Sequence, residues 1–302
     1  MTLTQFIPTH TEPRQGIPTD ESHGVSDACQ CSEHGDGMLI DGKRYLPSRR
    51  TVPVVSVRQL DQGVVELVIR DRYMAEHGKP AQFANLFTHD GLRQMPRPFG
   101  ICEIHGDEVS FIFAIVGAGT AQFAQMKAGD TIDVLGPLGK TFDLSDPGAR
   151  YILVGGGLGV PPLIQAAQYL HDSGRGESTT AIFGYRKHHF ADAIVSQYCD
   201  DVRSIDEEQG NVITVLDRMD AELTQSSAPV VMLSCGPTPM MKAVAFWASS
   251  RGIATQFNLE ERMGCGYGTC VVCVVDTIHG RKKICMDGPV FSAQELGWEQ
   301  TR

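Results

Sequence analysis

Residues 151–170, YILVGGGLGVPPLIQAAQYL, pass twenty positions without a charge, and no other stretch restricts the fold as tightly. That length suffices for a membrane helix, but three consecutive glycines, paired prolines and two glutamines suit one poorly. The run reads instead as part of a soluble unit. Residues 151–154 have the apolarity and length of a buried strand, GGGLGVPP makes a turn, and Leu163, Ala167 and Leu170 then recur at helical spacing until Gly174. Pro161 and Pro162 fall in the first helical turn, where missing N–H groups are tolerated. Gly155, Gly156, Gly157 and Gly159 of the turn let backbone donors and the helix dipole approach a pyrophosphate.

The same pattern recurs down the chain. The apolar segments TTAIFGY, NVITVLD and PVVMLSCGP read as strands alternating with helical stretches, the last being PMMKAVAFWASSRG. The alternation predicts an α/β doubly wound parallel sheet that binds its ligand at the strands' C-terminal ends. Cys235, Gly236 and Pro237 lie at such an end, and Cys235 reads equally as a nicotinamide contact or an inert buried thiol. The chain before residue 149 is built otherwise. Between Val52 and Leu138 the runs VPVVSVRQL, GVVELVIRD, EVSFIFAIV and DTIDVLGPLG are β-rich, broken by Gly, Asp and Pro, with little helical periodicity. A small antiparallel β-barrel is expected there. Within it, Arg97 of PRPFGI offers a planar fork for phosphate, and Gly117, Gly119 and Thr120 open a short helix; either feature is also compatible with plain turn chemistry.

The C-terminal part carries the metal chemistry. ERMGCGYGTCVVCVV and KKICMDGP place Cys265, Cys270, Cys273 and Cys285 with four, two and eleven intervening residues, opening with the CxxxxCxxC spacing of plant-type 2Fe-2S ferredoxins. Gly264, Gly266 and Gly268 suit a loop whose N–H groups turn toward cluster sulfurs. Zinc is the alternative, although structural zinc usually takes ligand pairs from two knuckles and only one is visible. Nine cysteines without a basic and apolar leader such as a secretory signal carries point to a cytoplasmic, reduced chain rather than a disulfide framework. A formal charge of −10 argues against general nucleic-acid binding.

In this order, the barrel with RPFG and GAGT, the sheet with GGGLGVPP and CGP, and the four-cysteine tail resemble the ferredoxin-NADP reductase superfamily. They resemble most closely the electron-transfer subunits of class B, NAD-dependent dihydroorotate dehydrogenase. The likeness covers about residues 51–300, and the family tail ESRMxCGxGxCxxC … CxDGPVF is matched by EERMGCGYGTCVVC and CMDGPVF. The resemblance implies FAD on Arg97, Pro98, Phe99 and Gly100, where Gly100 replaces a family serine and loses its hydroxyl. It implies further flavin contacts from Ile112, Phe113, Ala114, Gly119 and Thr120, and NAD(H) at Gly155, Gly156, Gly157, Gly159, Val160, Pro161, Cys235, Gly236 and Pro237. Cys265, Cys270, Cys273 and Cys285 would ligate a 2Fe-2S cluster. The implied partner is an FMN-containing catalytic subunit in a heterotetramer, which supplies electrons from dihydroorotate and relieves this chain of a substrate pocket.

The expected division is an extension at 1–50, a FAD-binding barrel at 51–148, an NAD-binding α/β domain at 149–250 and a 2Fe-2S module at 251–302. In the extension Cys29, Cys31, His23 and His34 form a possible metal set, though composition favours a flexible segment. Cys102 and Cys199 read as plain thiols, and His188 and His189 as a solvated loop. Arg186 and Lys187 favour a 2′-phosphate while the family favours NADH. Two other functions stay open: a similar reductase serving a hydrogenase, sulfide or sulfite system, and a non-enzymatic zinc-binding interaction module.

Overall fold

The computed structural model describes residues 38–40, 43–45, 47–92 and 94–299. The Cys29, Cys31, His23 and His34 set lies outside the described residues. A hairpin of β1 (Met38–Ile40) and β2 (Lys43–Tyr45) precedes an antiparallel unit. That unit holds β3 (Arg50–Asp61), β4 (Val64–Arg70), α1 (Arg72–His77), β5 (Phe83–Phe87), β6 (Arg97–Gly100), β7 (Glu103–His105), β8 (Glu108–Ala114), α2 (Ala118–Ala124) and β9 (Thr131–Leu138). Its seven strands pair in the order β6-β5-β9-β3-β4-β8-β7. The expected barrel is therefore not closed by a continuous ladder. The curled sheet still wraps a core of Val54, Leu67, Ile69, Leu86, Phe111 and Val134, each at most 2% exposed. Burying one such side chain stabilises the fold by about 1.5–3 kcal/mol.

The second unit contains β10 (Arg150–Gly156), α3 (Pro161–Asp172), β11 (Thr179–Tyr185), α4 (Asp192–Val195), β12 (Asp201–Val202), β13 (Ile205–Asp206), α5 (Val212–Arg218), α6 (Asp220–Thr224), β14 (Val230–Cys235), α7 (Thr238–Ser249) and β15 (Ala254–Asn258). Strands β12, β11, β10, β14 and β15 run parallel in that order, as the alternating pattern predicts. Because helices cover both faces, β10 is apolar from Tyr151 to Val154 and these successive side chains divide between two cores. Ile152 and Val154 join one, Tyr151 and Leu153 the other.

NVITVLD is a correction: it forms helix α5, not a strand. Its β-branched residues mimic a strand locally, but the Asn211 side chain accepts from the N–H groups of Ile213 and Thr214 at 2.9 and 3.3 Å and starts a helix. Val212, Val215 and Leu216 are then buried on one helical face.

The last segment adds β16 (Val274–Thr277), β17 (Gly280–Lys283), α8 (Ile284–Asp287), β18 (Val290–Ser292) and α9 (Ala293–Leu296). Strand β18 pairs antiparallel with β15, so the parallel sheet takes strands from beyond residue 250. Two polar contacts clamp the units together. The Gln168 carboxamide of α3 accepts from the Ile104 N–H at 2.9 Å and donates to its C=O at 2.8 Å, completing the edge of β7 as a neighbouring strand would. The Tyr198 hydroxyl donates to the buried Glu103 carboxylate at 2.5 Å. All seven described cysteines are free thiols, and no helix among the described residues is long and apolar enough to cross a membrane.

Candidate functional site

A cleft of about 490 Å³ opens where the antiparallel unit, the glycine turn and the segment after β15 meet. Of the sequence-expected residues, Pro98, Phe99, Gly100, Ile112, Phe113, Ala114, Thr120 and Pro161 line it. Strands β6 and β8 contribute the first six of these, Thr120 comes from α2 and Pro161 from α3, and the Phe99 and Phe113 rings stack at 4.8 Å. Thr120 fixes the entry to α2: its hydroxyl accepts from the N–H groups of Val116 and Gly117 at 3.0 and 3.1 Å. Arg97 lies across Gly119, where a Cβ would come within 2.3 Å of the guanidinium Nε. Its Nη1 also donates to the Met95 carbonyl. A cationic fork is thus laid along a glycine at the cleft margin, an arrangement that fits a phosphate. At Gly100 a Cβ would lie 3.3 Å from Pro162 Cδ, a tight contact with the second proline of α3. The barrel strand and the nucleotide helix touch there.

The glycine turn has two kinds of position. Gly155 and Gly159 serve packing, because a Cβ at Gly155 would meet Phe183, Val160 and Leu163 at 2.9–3.0 Å and one at Gly159 would meet the Cys235 and Gly236 backbone at 2.5 Å. Val160 is fully buried behind them. Gly156 faces Met240 and Pro237, whereas Gly157 has φ +55° and open space beside it. Gly236 adopts φ +150°, and Pro237 leads into α7. Together these residues bring the ends of β10 and β14 into contact at the sheet's C-terminal edge. Cys235 is fully buried, with its Sγ 4.0 Å from Glu260 Oε1. Burial, reinforced by Glu260, pushes the Cys235 thiol well up. Glu260 is exposed and lines the cleft, and partial desolvation of its carboxyl raises its pKa.

Beyond the cleft lie the four cysteines. Cys265 is within hydrogen-bond reach of Cys270, and Cys285 of Cys273. The Cys270 and Tyr267 N–H groups point at Cys265 Sγ from 3.4 and 3.5 Å. Burial opposes ionisation there, but these donors bring the Cys265 thiol down to about 7. Burial and the adjacent Cys273 push Cys285 up to about 12. Among the described residues no three His, Cys, Asp or Glu side chains converge as one ion requires. Two cysteine pairs side by side fit a two-iron cluster with two thiolates on each iron. The loop is also shaped for it: Gly266 and Gly268 have φ +78° and +85°, and a Cβ on Gly268 would strike Met286 at 2.5 Å. Lys283 Nζ donates to the Gly268 carbonyl at 2.6 Å.

Leu158 and Pro162 of the glycine turn and Pro289 of the CMDGPVF motif also line the cleft, whereas Ala81, Phe83, Val116, Asn258 and Leu259 line it without a signal in the sequence, and only the EERM motif pointed toward the segment that follows. Asn85, which donates to the Cys265 carbonyl at 2.8 Å, is 180 residues away in the chain. Cys102 and Cys199 are buried. His188 is exposed, but His189 stacks on Tyr185 and meets Asp192 at 3.1 Å. Arg186 and Lys187 project from the end of β11, exposed.

Residues 260–297 match the model of the iron-sulfur cluster binding domain of dihydroorotate dehydrogenase B. The chain is 34% identical over 262 residues to the dihydroorotate dehydrogenase B (NAD(+)) electron transfer subunit of Geobacillus thermodenitrificans, covering 82% of this chain and 98% of that one. It is 30% identical over 243 residues to the corresponding subunit of Clostridium perfringens, covering 79% and 94%. Among solved structures it resembles an NADH-dependent reduced ferredoxin-NADP oxidoreductase studied for flavin-based electron bifurcation, with TM-score 0.71 and 26% identity over 82% of this chain and 90% of that one. The ferredoxin reductase of carbazole 1,9a-dioxygenase shares the fold, with TM-score 0.56 and 19% identity over 70% and 68%.

Proposed function

Because this chain belongs to the family of electron transfer subunits of dihydroorotate dehydrogenase B (NAD(+)), we propose that it links a dihydroorotate-oxidising catalytic subunit to NAD in pyrimidine biosynthesis. In this reading FAD occupies the cleft, held by Arg97, Pro98, Phe99, Gly100, Ile112, Phe113, Ala114, Gly119 and Thr120. Cys265, Cys270, Cys273 and Cys285 hold a 2Fe-2S cluster. NAD(H) lies across the sheet edge formed by Gly155, Gly156, Gly157, Gly159, Val160, Pro161, Cys235, Gly236 and Pro237. Of these, Gly157 offers backbone donors to the pyrophosphate, while Gly155, Gly159 and Val160 act by packing the turn. The working division is 51–148 for flavin, 149–250 for nucleotide and 251–302 for the cluster, with 1–50 as an extension. The partner is an FMN-containing catalytic subunit, paired in a heterotetramer in the cytoplasm.

When bound, the cluster supplies one-electron relay and the flavin converts single electrons to the hydride that NAD accepts. The protein's own contribution is placement. Arg97 neutralises phosphate, the stacked Phe99 and Phe113 wall the cleft, and Glu260 and Cys235 bring a carboxyl and a thiol, each with a raised pKa, to the side facing the glycine turn. The N–H groups of Tyr267 and Cys270 stabilise thiolate at Cys265. The observation that carries the reading is the meeting of barrel strands, glycine turn and the segment leading to Cys265 around one cleft.

The test is reconstitution. Alone, the chain should reduce dyes with NADH and leave dihydroorotate untouched; with the FMN-bearing subunit, NAD-dependent dihydroorotate oxidation should appear. Dihydroorotate turnover by the isolated chain, or no turnover with an authentic catalytic subunit, would refute it.

A further inference from the structure

One buried side chain ties the cysteine loop to the flavin side of the molecule. Asn85 lies in the middle of β5 with no exposed surface, and its Nδ2 donates to the Cys265 backbone carbonyl at 2.8 Å. No side chain separates them: at Gly266, φ +78°, a Cβ would stand 2.3 Å from Asn85 Nδ2. In the other direction Asn85 pairs with Pro98 of β6, which lines the cleft, and with Leu135 of β9. A single residue thus spans the gap between a cleft-lining strand and the backbone of the first cysteine of the loop.

The choice of an amide is costly. Asn85 Oδ1 is buried and has no hydrogen-bond partner among the described residues. An orphaned acceptor of this kind is destabilising, and leucine, with the same branching, would carry no polar atom to orphan. Leucine cannot, however, hold the Cys265 carbonyl in one direction. The peptide that Asn85 grips begins the turn whose N–H groups, at Tyr267 and Cys270, point back at Cys265 Sγ.

We propose that Asn85 is a positioning residue for electron exchange, fixing the Cys265 end of the loop against the strand that lines the flavin cleft. It sets both the separation of the two centres and the hydrogen-bond field at the Cys265 thiolate. The inference rests on the reading that the cleft holds FAD and the loop a 2Fe-2S cluster. With NADH as donor, the hydride brings two electrons to the flavin and the oxidised cluster takes one of them; Asn85 itself gains and loses nothing.

The experiment uses the full chain with both cofactors, as wild type, Asn85→Leu and Asn85→Asp. Leucine removes the amide and aspartate keeps its shape without the donor. Stopped-flow absorbance should show flavin reduction by NADH within about twofold of wild type, followed by cluster reduction slowed about tenfold or more, the usual scale for losing an outer hydrogen bond at a metal site. Independently of turnover, the EPR spectrum of the chemically reduced cluster should shift its g-values and the cluster midpoint potential should move. Unchanged EPR, potential and cluster-reduction rate in either folded variant overturns the inference. So does loss of flavin together with the cluster in both variants, because Asn85 is then a general packing residue. Absence of a 2Fe-2S spectrum in the wild type would instead overturn the proposed function, and this inference with it.

Discussion

Gly157 and Gly159 sit two residues apart in one turn, and alanine at each should injure a different property. Gly159 is the packing glycine. A methyl there falls 2.5 Å from three backbone atoms of Cys235 and Gly236, against 3.4 Å for ordinary contact, so the ends of β10 and β14 must separate by about 0.9 Å. No flexible side chain can yield instead. Overpacking of this kind costs up to about 3 kcal/mol, and with only backbone to move we expect about 2–3 kcal/mol. At roughly 2–4 °C per kcal/mol, the melting midpoint should fall by roughly 4–12 °C. Gly157 meets nothing within 4 Å, and alanine there costs only its left-handed backbone at φ +55°, about 1 kcal/mol and roughly 2–4 °C. Its methyl projects into the open space assigned to the pyrophosphate. Losing one charge-assisted backbone hydrogen bond, about 1.5 kcal/mol, should raise KM for NADH about tenfold with flavin content retained. Thermal melting by circular dichroism and steady-state NADH-to-ferricyanide kinetics measure both effects. If Gly157→Ala melts lower than Gly159→Ala, the steric account fails; if Gly157→Ala leaves KM unchanged, the pyrophosphate lies elsewhere.

Three further outcomes are expected. Cys270→Ser should remove iron, acid-labile sulfide and the broad visible bands while leaving flavin bound, since none of the cleft-lining residues is a cysteine; stoichiometric zinc without sulfide would contradict the assignment. NADH should be the better donor in kcat/KM, and Arg186→Ala with Lys187→Ala should weaken NADPH use more than NADH use; a tenfold NADPH preference in the wild type overturns the choice of NAD. The Arg150 hydrogen bond holds the Glu222 carboxyl below its ordinary range, and Arg203 adds a second at 3.1 Å. A depressed folded-state pKa stabilises the protein above the unfolded value of about 4.3 and loses that contribution as pH falls through the folded one. Glu222→Gln should therefore flatten the acid side of the melting-midpoint profile by about 1 kcal/mol or less, this surface pair being partly screened.

The sequence alone determined what local pattern controls. A strand buried on both faces is predominantly apolar, so residues 151–154 and TTAIFGY pointed to a parallel sheet before any partner strand was known. Cysteine spacing is equally local: the four, two and eleven residue gaps and the glycines between them already describe a ligand loop. Local pattern also misled, and for the same reason. NVITVLD carries strand-like side chains, and its helical state depends on the Asn211 cap and on a core supplied by other elements. Tertiary structure alone decided everything that joins distant segments: the open path of the antiparallel sheet, the close approach of Pro162 to Gly100, the approach of Glu260 to Cys235, and the grip of Asn85 on Cys265. A hydrogen bond across 180 residues leaves no periodicity in the chain, because either partner suits its own strand or loop without the other. Only when the sheet and the cysteine loop are folded against each other does one buried amide join the strand beside the cleft to the backbone of Cys265.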